Sequence, residues 1–399
     1  MSYPLGALLL ISLCSGVLGQ SVRRPGNDDE LRYWLENMVW HHRFSPAEVS
    51  AATGLDEGSV EAALKRFAIS EGTRPARRED DPVLILPYPG GRHPRIGFLE
   101  GAIDPQRETK ASVFTPWDPA SHVVIDVPEA IWSNLGLTYL AHTHIETIWT
   151  KRGVLLPPLE WQRGPGGRLS LERKLPNGIR FGTRLEPLGN SLAMEMWIHN
   201  GTGKVLTGLR AQVCLMLKGA RGFTQQDNAN KRFHGGYALC HDGTGKRWII
   251  TAWQPCHRAW QNAPVPCLHS DPGFADCEPG KTVRAHGRLW FFEGQDIEAE
   301  LARLEALGWK EHPVADIGEV VPDLEIPPLV SGKAGSGKRV RVRDPADQTP
   351  GVYHVLYLPE DWQPGKRYPV IVEYAGNGPY RNRFGDVSTG LVEGSRLGY

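Results

Sequence analysis

The feature that most constrains this chain is a period-two alternation of apolar and polar side chains, sustained over four consecutive segments. Leu169 and Leu171 alternate with polar residues, and Asn177-Gly178 marks a hairpin turn. Ile179, Phe181, Thr183 and Leu185 then alternate with Arg180, Gly182, Arg184 and Glu186. After Gly189-Asn190, Leu192, Met194, Met196 and Ile198 alternate with Ala193, Glu195, Trp197 and His199. Asn200-Gly201 turns the chain again, and Leu209, Ala211, Val213, Leu215 and Leu217 alternate with Arg210, Gln212, Cys214, Met216 and Lys218. Successive side chains of a strand point to opposite faces, so one face of each segment meets a core and the other looks elsewhere. The expectation is a large antiparallel β-sandwich that ends in a helix, over residues 83–309. Asp296 caps that helix, Ile297, Leu301, Leu304 and Leu307 form its apolar stripe, and Gly308 ends it.

Upstream, the period changes to that of helices. Leu31, Trp34, Leu35, Met38 and His42 recur at helical spacing. Ser45-Pro46-Ala47-Glu48 reads as a capping box, Gly54 as a turn and Asp56 as the next cap. Val60, Ala63, Leu64 and Phe67 form one face of the helix that follows. Residues 28–70 are thus expected to form a small three-helix module. The stretch from Phe44 to Val60 resembles a helix-turn-helix, a resemblance that implies DNA binding. Charge opposes it: Asp56, Glu57 and Glu61 sit where such a helix would approach phosphate. The whole chain has 45 Lys plus Arg against 45 Asp plus Glu, without the basic excess of a nucleic-acid surface. The module is therefore expected to be structural, or to dock on another domain or protein.

The N-terminus reads as an export leader. Leu8 to Leu13 is a short apolar run, and Val17 and Gly19 suit cleavage before Gln20, so residues 1–19 are expected to be a signal peptide of a secreted or periplasmic chain. No later segment has the length and apolarity of a transmembrane helix. Five cysteines follow the leader: Cys214, Cys240, Cys256, Cys267 and Cys277. The last four are close enough in sequence for one or two disulfides, with Cys214 left over. A metal alternative would use Cys256-His257 and Cys267-Leu268-His269, but no C-x-x-C pair is present. No metal or cofactor is assigned.

Two clusters could bind a ligand. If residues 142–146 form a strand, His142, His144 and Glu146 share one face, an arrangement suited to a metal or to acid–base work. The non-core face of the meander offers Arg180, Arg184, Glu195, Trp197, His199, Arg210 and Gln212, a mixture of ring and hydrogen-bonding groups that suits carbohydrate. In its strand pattern this region resembles the large sandwiches of the galactose-mutarotase type, which implies a sugar-binding concave face. Gly332 to Arg339 nearly matches a phosphate loop, but Arg339 stands where Ser or Thr should hold Mg²⁺. It lies in a stretch, residues 310–345, that reads as a linker.

The last segment carries a second resemblance. A strand from Tyr353 to Leu358, a loop, a strand from Tyr368 to Tyr374 and then Gly376-Asn377-Gly378 follow in order. Residues 346–399 so resemble the opening of secreted esterases and peptidases of the α/β-hydrolase superfamily. The resemblance implies that Gly376, Asn377 and Gly378 form an oxyanion loop. Ala375 departs from the His that many members carry, and no G-x-S-x-G occurs in the chain. The expectation is a truncated hydrolase domain whose nucleophile lies beyond residue 399. Two function classes stand side by side: an exported modular ester hydrolase, and a carbohydrate-binding or carbohydrate-processing sandwich without esterase activity.

Overall fold

The computed structural model describes residues 22–78, 81–95, 107–142, 145–310, 327–343, 345–346, 354–368 and 370. The chain divides into two units, Met1–Pro313 and Val314–Tyr399.

The first unit begins with helices whose ends follow from local chemistry. α1 spans Asp28–Leu35, and the Asn27 side chain accepts from the Glu30 N–H. A π-helical turn, Glu36–His41, continues it. α2 (Pro46–Thr53) starts at a reciprocal Ser45–Glu48 capping box and ends at Gly54, whose φ of 69° is left-handed. α3 (Glu57–Phe67) is capped by Asp56. Leu35, Met38, Val49, Ala52 and Val60 form their shared apolar cluster.

Strands follow in chain order: β1 (Ile85–Pro87), β2 (Lys110–Phe114), β3 (His122–Ser133), β4 (Gly136–Leu140), β5 (Gln162–Arg163), β6 (Leu169–Lys174), β7 (Arg180–Leu188) and β8 (Ser191–His199). After these come β9 (Arg210–Met216), β10 (Lys231–His234), β11 (Tyr237–His241), β12 (Arg247–Gln254), β13 (Cys256–Trp260), β14 (Cys267–Pro272) and β15 (Thr282–Glu293). They form two antiparallel sheets. One has seven strands in the order β1-β2-β3-β9-β14-β13, with β4 also on β3; the other has eight in the order β10-β11-β12-β15-β8-β7-β6-β5.

The expected alternation is what closes the two sheets on each other. Phe181, Leu185, Met194, Met196 and Ile198 from the eight-stranded sheet pack against Val123, Ile125, Ile131, Val213 and Leu215 from the seven-stranded one. Each such side chain, fully buried, contributes about 1.5–3 kcal/mol. α4 (Ile297–Ala306) covers part of the outer face of the eight-stranded sheet, where Ile297 and Leu304 pack on Trp248, Ile250 and Trp290. Its N-cap is Asp296, as expected, but Leu307 is 56 % exposed and does not belong to the stripe.

The α1–α3 segment packs on the outer face of the seven-stranded sheet. Asn37 Nδ2 donates to the Pro87 carbonyl at 3.0 Å, and His42 Nε2 pairs with Ser112 Oγ at 2.7 Å. Arg92 reaches Glu48 with Nε and Nη2 at 2.6 and 2.8 Å. Gly91 permits this approach: its φ is +72°, and a Cβ there would lie 2.5 Å from the Glu48 carbonyl oxygen.

In the second unit, β16 (Leu329–Val330), β17 (Arg339–Val342) and β18 (His354–Tyr357) form a three-stranded sheet. The phosphate-loop look-alike is the turn that leads into β17, so the stretch read as linker ends in a strand. The strand expected near residues 353–358 is β18. Gly376, Asn377 and Gly378, expected to form an oxyanion loop, lie outside the described residues.

Candidate functional site

Polar chemistry in the first unit gathers on the outer face of the seven-stranded sheet, along β3, β9 and β14. Register explains why. Asp126 pairs with Cys214 and Ala130 with Gln212, so residues 127–129 of β3 stand opposite the single Val213 of β9. A bulge of this kind re-aims side chains. Here it sends the Glu129 carboxylate to the outer face, onto Gln212 Nε2 at 2.8 Å from Oε2.

Glu129 is the hub of a buried network. Oε1 accepts from His142 Nε2 at 2.6 Å and pairs with the Arg95 guanidinium. The three side chains are 2 %, 2 % and 7 % exposed respectively. Burial alone would raise the Glu129 pKa, but the Arg95 charge and the His142 hydrogen bond outweigh it and hold the carboxyl well below its usual range. Burial likewise keeps the His142 pKa below its usual value against the upward pull of Glu129. His142 is therefore a neutral imidazole at neutral pH. A carboxylate only accepts, so the His142 proton sits on Nε2.

The network continues across β9 and β14. Arg95 Nη2 donates to Cys214 Sγ at 3.4 Å, and Cys267 Sγ lies 3.3 Å from His269 Nε2. The Trp260 indole stacks on the His269 ring at 4.1 Å between centroids and 14° between planes. Asp271 accepts three hydrogen bonds within the protein. Its Oδ1 accepts from the Val213 N–H at 3.1 Å, and its Oδ2 accepts from Arg258 Nε at 2.8 Å and Trp260 Nε1 at 2.7 Å.

At the end of this face, away from the helices, a cleft of about 370 Å³ is lined by Trp132, Arg210, Gln212, His257, Arg258 and Asp271. Arg210 lies over the Trp132 ring at 5.5 Å, and Arg258 over the Trp260 ring at 4.4 Å. Two guanidiniums against one carboxylate leave the lining with a net positive charge.

The structure divides the residues that sequence spacing had grouped. β4 ends at Leu140, and neither His142 nor Glu146 lies in a strand; His142 is buried against Glu129 while Glu146 is exposed. His144 lies outside the described residues. The meander face is also split, because the chain crosses between sheets after β8. Arg180, Arg184, Glu195, Trp197 and His199 belong to the eight-stranded sheet, Arg210 and Gln212 to the seven-stranded one, with the core between them. Trp197 covers Gly182 on the neighbouring strand, where a Cβ would come within 2.0 Å of the indole. Glu195 pairs with Arg184 and Arg284 at 3.1 and 2.7 Å, and His199 Nδ1 with Thr282 Oγ1 at 3.1 Å. Those polar groups are paired within the sheet.

The cysteines also differ from expectation. All five are free, and Cys214, expected to be the odd one out, lies beside Cys267. Cys256 instead faces Ser270 Oγ at 3.7 Å. Sequence reasoning missed Arg95, Glu129, Trp132, Arg258 and Asp271. One signal was available: Glu129 and Asp126 interrupt a strand that is otherwise apolar from Val123 to Ile131, and such carboxylates need partners.

No family model matches the sequence, and neither does any curated protein. Among solved structures, the Slr1438 protein of Synechocystis sp. PCC 6803 is similar over 46 % of this chain and 88 % of its own, with 15 % identity and a TM-score of 0.29. A galactose mutarotase related enzyme from Lactobacillus acidophilus is similar over 48 % of this chain and 97 % of its own, with 10 % identity and a TM-score of 0.27. Heparan sulfate lyase HepC from Pedobacter heparinus is similar over 69 % of this chain and 44 % of its own, with 7 % identity and a TM-score of 0.27. Among the described residues no helix is long and apolar enough to cross a membrane.

Proposed function

We propose that the Met1–Pro313 unit is a carbohydrate-binding sandwich of a secreted or periplasmic chain, and that its ligand is an acidic saccharide held in the cleft between β3, β9, β13 and β14. The observation that carries this reading is the lining itself: Trp132, a flat apolar ring, beside Gln212 and two guanidiniums. A sugar ring needs an apolar face to stack on and directional donors at its rim. A carboxylate or sulfate substituent suits Arg210 and Arg258, because guanidiniums pair with planar oxyanions.

Binding is favoured over turnover by the state of the carboxylate. Asp271 accepts three hydrogen bonds within the protein, which leaves it poorly suited to take a proton from a substrate. Glu129 sits behind Gln212 and is held as a carboxylate by Arg95. The ester-hydrolase reading rests on Gly376, Asn377 and Gly378, outside the described residues, and has no such support.

Isothermal titration of the full chain with a uronate oligosaccharide and with its neutral counterpart tests the proposal. The acidic ligand should bind more tightly, and Trp132→Ala and Arg210→Gln should each weaken it on the order of tenfold. Equal binding of both ligands, or affinity untouched by both substitutions, would refute it.

A further inference from the structure

One pleat along from the cleft lies a cluster that the proposed carbohydrate site does not use. Cys214 on β9 and Cys267 and His269 on β14 are all buried, and their Sγ, Sγ and ring-nitrogen atoms lie within 4.8 Å of one another. Pairing explains the convergence. His269 is directly opposite Cys214, and Cys267 is opposite Met216, two residues further along β9, so the two thiols are diagonal neighbours on one sheet face.

Two observations set this cluster apart from cysteines that merely fill a core, as Cys240 does. First, the His269 ring is 2 % exposed and its Nδ1 has no hydrogen-bond partner. The other ring nitrogen, Nε2, faces the Cys267 thiol at 3.3 Å, so an imidazole donor is already turned toward the sulfurs. Second, a cationic donor is aimed at the sulfur: Arg95 Nη2 is 3.4 Å from Cys214 Sγ, and Arg95 is itself neutralised by Glu129. A charged donor on the sulfur would stabilise a thiolate there.

We propose that Cys214, Cys267 and His269 form a binding site for a thiophilic divalent cation, Zn²⁺ above all. Two thiolates and one imidazole are a donor set that zinc takes, with one tetrahedral position left for a further ligand. Each thiol releases its proton to solvent as its sulfur binds, so Zn²⁺ and two thiolates together carry no net charge, which lowers the cost of burying them. The two thiols are shifted in opposite directions. Burial pushes the Cys214 thiol up, and the hydrogen bond with Cys214 pulls the Cys267 thiol below its usual value. The cleft provides an approach, since Gln212 and Asp271 line it and lie two residues from Cys214 and His269, roughly 7 Å along each strand.

The test uses the reduced full chain in metal-free buffer. Zn²⁺ is titrated against a chromophoric chelator, and Co²⁺ serves as a spectroscopic stand-in. The expected results are one Zn²⁺ per chain and a Co²⁺ spectrum with tetrahedral bands and a thiolate charge-transfer band. Cys214→Ser and Cys267→Ser should each weaken Zn²⁺ binding on the order of 100-fold, whereas Cys240→Ser should leave it unchanged. If either site variant fails to fold, the wild-type stoichiometry and the Co²⁺ spectrum still decide. Three results would overturn the site: no stoichiometric Zn²⁺ on the wild type, a Co²⁺ spectrum without thiolate bands, or a Cys214–Cys267 disulfide in peptide maps of the unreduced chain. None depends on whether the cleft binds a saccharide.

Discussion

Acid should loosen the contact between the helices and the sandwich, and the structure sets the size of the effect. His42 at the end of the π-turn and His122 at the start of β3 stack edge to face, 5.0 Å between ring centroids, with Phe114 5.0 Å from His122. Burial is the largest cause that lowers both pKa values, and the nearby Arg92 charge adds to it; His122 falls to about 4 and His42 well below its usual value. A histidine depressed in the folded state binds its proton more readily when unfolded. Its contribution is therefore intact above the unfolded value of about 6.5 and is lost as pH falls toward the folded value. For His122 alone, a shift from 6.5 to about 4 implies a loss of roughly 2 kcal/mol between about pH 7 and about pH 5. His42 and His142, both lowered, add to it in the same direction. Urea unfolding followed by tryptophan fluorescence at the two pH values measures the loss. His122→Phe keeps a ring among its neighbours and removes the titration, so its stability should fall less than the wild type's, by roughly 2 kcal/mol. The same pH slope in wild type and variant, or a wild type that is more stable in acid, would refute the assignment.

Two further substitutions probe the opposite faces of the sandwich. Arg95→Met leaves the Glu129 carboxylate buried without its cation, and unfolding measurements at neutral pH should show a loss of about 3–5 kcal/mol. A loss below about 1 kcal/mol would mean that the network relaxes into water. Gly182→Ala sets a Cβ within 2.0 Å of the Trp197 ring, so the indole must lift off β7. Stability should drop by about 1–3 kcal/mol, with a red-shifted tryptophan emission, and no change in either would show that the ring does not lie flat.

Much of the fold was legible in the chain itself. Alternation from Leu169 onward determined the strands and which residues face the core, because side chains of a strand can point only two ways. The Ser45–Glu48 box, the Asp56 and Asp296 caps and the Asn177-Gly178 turn were equally readable, since each is chemistry between residues a few positions apart. Alternation is silent, however, about which sheet a strand joins. It could not say that the chain crosses the sandwich between His199 and Arg210, so it grouped Trp197 with Arg210 although the core separates them. The site was hidden for the same reason. Arg95, Glu129, His142 and Cys214 are far apart in sequence, and they meet because β9 lies between β3 and β14, and because a bulge in β3 turns one carboxylate outward. Side-chain type and local spacing came from the sequence; the pairing of distant strands, which only tertiary packing decides, made those side chains a site.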